Sequence, residues 1–278
     1  MTSSNTRFEN KVAIVTGSGQ GIGESYAKGL AEAGASVVVA ELNADQGRRV
    51  VAEINDAGGA ACFVEVDVAD MASAEAMSAA TVDAFGGIDY LVNNAAIFHG
   101  MKREGLTTVD LAYFYNFMSV NLYGALHCTR AVLAAMIDRG GGVIVNQSST
   151  AAWMPAGFYG LAKLGINGLT ASLAMELGGQ NIRVNAIAPG PIDNRMIKSL
   201  EEQLSPDDPV GLAPGPEVDR HPVRQGHRGD QQHPGVRRAG QRHGDAHELA
   251  QALVATARPA TRRTAHPTAH PTAHQWCM

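Results

Sequence analysis

Cysteine, aromatic residues and net charge are all in short supply in this chain. Cysteine occurs only at Cys62, Cys128 and Cys277, an odd and scattered set that argues against a disulfide framework or a metal knuckle, and no metal is expected. Aromatic residues make up 5% of the sequence and the net charge is only -5. So weak a charge gives no electrostatic ground for nucleic acid or an anionic membrane as partner. No run approaches the roughly 18 apolar residues needed to cross a bilayer. The opening MTSSNTRFENK also has no apolar signal core, so a cytoplasmic protein is expected. Cys62 lies in a strand pattern and Cys128 in a helical one, which reads both as buried free thiols.

Glycine and aliphatic residues are plentiful. With 31 glycines and 45% hydrophobic content in 278 residues, the chain can build one large α/β domain and is too short to demand two. From residue 11 to about 190, short apolar runs alternate with longer stretches of helical period, the pattern of βαβ units around a parallel sheet. The strands read as Val12 to Thr16, Ser36 to Glu41, Ala61 to Asp67, Tyr90 to Asn93, Val143 to Gln147 and Arg183 to Ala188. Between them fall helices of roughly Ile22 to Ala33, Ala44 to Ala57, Ser73 to Ala84, Asp110 to Asp138 and Phe158 to Leu177. Asn43 with Gln46 forms a capping pair, and Gly34, Gly58, Gly86 and Gly140 stand where left-handed C-terminal residues are wanted. Right-handed crossovers then give an α/β doubly wound parallel sheet, with its ligand crevice beyond the carboxyl ends of the strands.

The last third breaks this pattern. Large aliphatics thin out after about residue 205, while eight of the ten histidines lie from His221 onward. The charge is -9 through residue 212 and +4 after it, and residues 264–274 repeat TAH-P three times. Arg, His, Pro, Ala and Gly are what shifted GC-rich codons yield, so a non-homologous segment is expected. The division is therefore residues 1–205 as the dinucleotide-binding and catalytic domain and 206–278 as an irregular, loosely packed tail with one helix around Asp245 to Ala257. No seventh strand is expected, which would leave the edge of the sixth bare. Metal capture by the tail is disfavoured, because His266, His270 and His274 lie in Pro-containing sequence that cannot be helical.

The chemistry is concentrated upstream. The first strand runs into TGSGQGIG, residues 16–23, which opens a helix. Glycines there let backbone turn tightly and approach a pyrophosphate, met by free amides at the helix N-terminus. The candidates are Gly17, Gly19, Gln20, Gly21 and Ile22. Glu41, at the end of the second strand, can accept hydrogen bonds from adenosine ribose hydroxyls and repel a ribose phosphate, which favours NAD over NADP. Asp67 and Val68 after the third strand, and Asn94 and Ala95 in NNAA after the fourth, fall on the same edge.

Tyr159-Gly-Leu-Ala-Lys163 begins a helix, and residues four apart share a face. A fixed ammonium near a phenol lowers its pKa toward that of a working acid/base. VNQSSTAA, residues 145–152, sets Ser148 and Ser149 past the fifth strand, where either hydroxyl could hold a substrate oxygen. Phe98, Trp153, Met154 and Phe158 are apolar candidates for a substrate pocket or for core, and suit an uncharged, alicyclic substrate.

These motifs together resemble the short-chain dehydrogenase/reductase family, which has a T-G-x-x-x-G-x-G loop, an N-N-A-G-like strand end and Y-x-x-x-K. The similarity covers about residues 8–197 and includes VNLYG (120–124) and RVNAIAPGPID (183–193). It implies a Rossmann-type fold and hydride transfer between NAD and a secondary alcohol or ketone as small-molecule substrate. It also implies Tyr159 as acid/base, Lys163 lowering its pKa and binding the nicotinamide ribose, and Ser149 as the second of its serine pair. Asn121 would hold a relay water, with Pro189, Gly190 and Ile192 along the nicotinamide. A homo-oligomer through the helices Asp110 to Asp138 and Phe158 to Leu177 is expected. The alternative is a protein that binds NAD with little turnover, for want of a C-terminal lid and last strand.

Overall fold

The computed structural model describes residues 7–190 and the backbone of 236–238. In chain order the elements are β1 (Val12–Thr16), α1 (Gly21–Glu32), β2 (Ser36–Glu41), α2 (Ala44–Asp56), β3 (Ala60–Glu65) and α3 (Met71–Phe85). They continue with β4 (Tyr90–Asn93), α4 (Leu111–Met118), a π-helical turn (Ser119–Tyr123), α5 (Gly124–Asp138) and β5 (Gly142–Gln147). A 3-10 turn (Thr150–Trp153), α6 (Gly157–Leu177), β6 (Ile182–Ala188) and β7 (Val236–Arg238) complete the set. The strands pair in parallel in the order β3-β2-β1-β4-β5-β6-β7. The order reverses between β1 and β4, and a doubly wound sheet opens its ligand crevice at that point.

Alternate strand residues feed two cores, as the pleat requires. Ala13, Val15, Val37 and Val39 pack on Tyr26 and Leu30 of α1 and Val50 and Ile54 of α2. Ile14, Val38, Leu91 and Ile144 pack on Met77 of α3, Cys128 and Val132 of α5, and Leu173 of α6. Both faces of the central strands are thereby dry, which is why they read as unbroken apolar runs. Asn43 caps α2 through the Gln46 amide, and Gly34, Gly58, Gly86 and Gly140 all have φ between 79° and 96°.

Several expectations need correction. The sixth strand is not bare, because Ala186, Ile187 and Ala188 pair with Val236, Arg237 and Arg238. A ladder is held by backbone hydrogen bonds, so the tail's poverty in aliphatics did not exclude it. The expected helix at Asp245 to Ala257 and the tail histidines lie outside the described residues. Helix α3 begins at Met71 because Asp70 caps it, and Ser73 instead receives the Asp67 amide on its hydroxyl. The expected helix from Asp110 to Asp138 is interrupted by the π-turn. Leu111–Asp138 is, by length and composition, apolar enough to cross a membrane, with mean hydropathy 1.2 over its apolar window. Its inner face is core, through Phe117, Cys128, Val132 and Met136. Cys128 is fully buried, but Cys62 is only half-buried.

Candidate active site

The glycine loop is locked to the end of β4. The Thr16 hydroxyl accepts from the amides of Asn94 and Ala95, and the Asn94 side chain donates to the carbonyls of Thr16 and Gly17. Gly17 has φ +63°, and a β-carbon there would lie 2.7 Å from the Ala95 backbone. One at Gly23 would collide with the Gly17 carbonyl and the Asn94 amide. By contrast Gly21, at φ +60°, faces open space. A loop this tight behind and open in front is a cradle suited to a dinucleotide phosphate.

Glu41 lies beside the loop. Its Oε2 accepts from the Gly19 amide at 2.9 Å and its Oε1 from the Asn43 amide at 3.1 Å. Gln20 caps α1 without a side-chain hydrogen bond, and Ile22 packs into the core. Asp67 is exposed and accepts from the Ala69 amide, whereas Val68 is buried and its carbonyl meets Nδ1 of His127. Pro189 accepts from the Thr150 amide and Gly190 is half-buried, while Ile192 lies outside the described residues.

The two serines separate cleanly. The Ser148 hydroxyl is buried and donates to Asn167 Oδ1 at 2.7 Å. Ser149 turns the other way, accepting from the Ala151 amide and hydrogen-bonding the Tyr159 phenol. The Phe98 ring lies 5.2 Å from that of Tyr159. Burial raises the Tyr159 phenol above its ordinary value, and the hydrogen bond from Ser149 recovers only part of the rise.

Lys163 departs from expectation. Its Nζ is 5.8 Å from the Tyr159 ring centroid and donates instead to the Gln147 carbonyl at 2.8 Å. The influence that lowers the phenol is the Ser149 hydrogen bond. Burial holds Lys163 itself down to about 8, so its charge is carried at a cost in the folded state. Asn121, in the π-turn, uses its side-chain amide on both backbone groups of Ile97 and so fixes the segment after β4.

Between these groups lies a cleft of about 10 Å³, lined among others by Thr16, Asn93, Asn121, Gln147 and Lys163. It has room for about one water. Asn93 Oδ1 is buried beside it without a partner among the described residues. A larger groove of about 510 Å³ between α3 and α5 contains none of the site residues. Of the apolar candidates, Phe158 is core, 4.7 Å from the Phe117 ring, whereas Trp153 and Met154 are exposed.

Sequence reading missed Gln147, which receives Lys163 and, through Oε1, the Tyr26 hydroxyl. It also missed Arg49, whose Nη2 donates to the Gly19 carbonyl. The position of Gln147 at a strand end was a signal for the first. Nothing local marks the second, since the contact spans 30 residues.

The short chain dehydrogenase family model matches residues 11–205, and the chain belongs to this family of oxidoreductases. An uncharacterized oxidoreductase of Mycobacterium tuberculosis is 61% identical over 193 residues, 69% of this chain and 78% of the relative. The trans-4-hydroxycyclohexanecarboxylate dehydrogenase of Sinomonas cyclohexanicum is 39% identical, over 70% of this chain and 77% of its own. Among solved structures, a 7α-hydroxysteroid dehydrogenase complexed with NADH and 7-oxo glycochenodeoxycholic acid superposes with a TM-score of 0.65. It is 35% identical and the match covers 74% of this chain and 80% of that one.

Proposed function

We propose that the protein is an NAD-dependent dehydrogenase that interconverts an uncharged, alicyclic secondary alcohol and its ketone. The observation that carries this reading is the meeting of Ser149 and Tyr159 beside Phe98, with the buried Lys163 on the next turn of the same helix. NAD supplies the hydride acceptor or donor at the substrate carbon. Ser149 holds the substrate oxygen, and Tyr159 takes or returns its proton. Lys163, with one of its three protons engaged by the Gln147 carbonyl, turns the other two toward the nicotinamide ribose. Glu41 suits the hydroxyls of an adenosine ribose and opposes a phosphate there. The names of similar enzymes, a 7α-hydroxysteroid dehydrogenase and a trans-4-hydroxycyclohexanecarboxylate dehydrogenase, support the alicyclic class, while the carboxylate in the second name does not support the absence of charge, which rests on the apolar candidates Phe98, Trp153 and Met154 alone.

Absorbance of NADH formed from a panel of cyclic secondary alcohols tests the reading. Turnover with at least one of them, faster with NAD than with NADP, is expected. Preference for NADP would overturn the ribose assignment, and NADH binding without turnover across the panel would leave the low-turnover alternative standing.

We also infer that the protein is a homo-oligomer. Leu111 and Tyr115 on α4, Tyr123 on the π-turn, and Leu161 and Leu164 on α6 are all exposed. A second copy is the occupant that fits these exposed apolar side chains on adjoining helices. Sedimentation of the full chain should give a dimer or larger, and the paired charge substitution Tyr115→Glu with Leu164→Glu should reduce it to a monomer.

A further inference from the structure

Arg49, on α2, reaches across to the glycine loop and to α1. Its Nη2 donates to the Gly19 carbonyl at 2.9 Å and to Glu24 Oε2 at 2.8 Å. Its Nη1 donates to Glu53 Oε1 at 2.6 Å and Glu24 Oε1 at 3.2 Å. Glu24 stands in the first turn of α1, so one planar cation ties the loop, that turn and α2 together. Lys28 bridges the same two carboxylates. Burial raises the Glu24 carboxyl, but the hydrogen bonds from Arg49 and Lys28 outweigh it and hold the group below the ordinary carboxylate range. The guanidinium is thus pinned where it meets Gly19.

Gly19 is gripped on both sides, its N–H by Glu41 and its carbonyl by Arg49. A β-carbon there would lie 2.8 Å from Glu41 Cγ and 2.9 Å from Gln46 Cβ, so the residue has no room to shift toward α2. In a planar trans peptide the carbonyl of one residue and the N–H of the next point in opposite directions. Holding the Gly19 carbonyl against α2 therefore aims the Gln20 N–H away from it. Gln20 is extended, at φ -160° and ψ 166°, and its side chain caps none of the free amides at the start of α1.

We propose that Arg49 is a positioning residue of the dinucleotide loop, fixing the Gly19–Gln20 peptide so that the Gln20 N–H is presented to the cofactor's phosphates. Arg49 does this from behind, without touching the cofactor. The proposal rests on the dinucleotide reading above.

The test titrates the full-length wild type, Arg49→Met and Arg49→Lys with NADH by fluorescence, and with adenosine as competitor, well below each melting transition. Arg49→Met should weaken NADH about tenfold, as expected when one charge-assisted hydrogen bond to phosphate loses its orientation. Adenosine, which has no phosphate, should bind within twofold of wild type. Arg49→Lys keeps the charge without the fork and should lose about threefold; it carries the test if the Met variant does not fold. Equal NADH affinity in wild type and variants, with only the melting temperature lowered, would reduce Arg49 to a structural tie and overturn the proposal. Loss of NADPH binding with NADH unchanged would mark it as a direct phosphate ligand and overturn it too. A wild type that binds no NADH would overturn the dinucleotide reading and this proposal together.

Discussion

Lys163→Met should inactivate the protein and make it more stable near neutral pH. Lys163 is 3% exposed, and its ammonium donates to the Gln147 carbonyl. Burial lowers its pKa from 10.5 to about 8. At about 1.4 kcal/mol for each tenfold change, that fall is worth about 3 kcal/mol of unfavourable burial. Methionine has similar length and no charge, so it removes this cost, but it deprives the Gln147 carbonyl of a donor, a loss of about 1 kcal/mol. The difference is about 2 kcal/mol in favour of the variant, or roughly 4–8 °C in melting temperature for a protein of this size. The pH dependence follows from the same shift. Below about pH 8 the folded and unfolded lysines are both charged and the full cost applies. Between about pH 8 and 10.5 the folded state has released its proton while the unfolded chain has not, so the wild type gains stability as pH rises. Above that range the lysine is neutral in both states, and the variant should be slightly the weaker. Thermal melts of both proteins across this range would show the advantage of the variant shrinking and then reversing. A variant that melts lower than wild type at neutral pH, or a difference that does not change with pH, would refute the claim that burial of the charge governs this site.

The remaining predictions concern single contacts. Tyr159→Phe should lower turnover by about 10²- to 10⁴-fold, the usual worth of a positioned acid/base, while NADH affinity by fluorescence stays within about threefold. Glu41→Ala should weaken NAD and narrow its advantage over NADP, since it removes both a ribose acceptor and a like charge; the ratio of kcat/KM for the two cofactors reads this directly. Asp89 accepts from Lys11, Arg139 and the Val12 amide, and although burial raises its carboxyl, those hydrogen bonds outweigh burial and hold it below the ordinary value. Its stabilisation is therefore complete above about pH 4 and is lost as the pH falls toward the folded-state value. Asp89→Asn should cost about 2 kcal/mol at neutral pH, discounted because both cations are partly exposed, and urea unfolding should show the gap closing in acid.

How much of this was legible in the sequence depended on whether the deciding interaction was local. Strands β1, β2 and β4 were readable to the residue, because helices cover both faces and leave each strand a continuous apolar run bounded by polar residues. Asn43 and the terminal glycines carry their own backbone requirements and were equally plain. Helix α3 was misplaced at its start because Asp70 and Ser73 are both competent caps. Which of the two takes that role is decided by the Asp67 amide, which engages Ser73. The π-turn left no mark in SVNLY, yet it carries Asn121 to Ile97. The strand at Val236–Arg238 was invisible for the complementary reason, since pairing on a sheet edge needs backbone more than it needs side chains.

The site itself divides the same way. The order of glycine loop, serine pair and Tyr-x-x-x-Lys identified which residues meet, and the fold brings Ser149, Tyr159 and Lys163 into one place. What the spacing could not supply was direction. Four residues on a helix put Lys163 on the same face as Tyr159, but the strand end beside them offers a carbonyl at 2.8 Å, and a buried ammonium takes the nearest acceptor. Phe158 and Tyr159 are adjacent and both aromatic, and one faces the Phe117 ring while the other faces Phe98. Helical geometry alone sends successive side chains about 100° apart, so of two neighbours one can belong to the core and the other to the chemistry. Arg49 extends the argument beyond the motif: its partners Gly19, Glu24 and Glu53 lie on three different segments. The motifs therefore mark residues that the fold gathers at one site, whereas contacts such as those of Arg49 are chosen by tertiary structure and become visible only once the chain is folded.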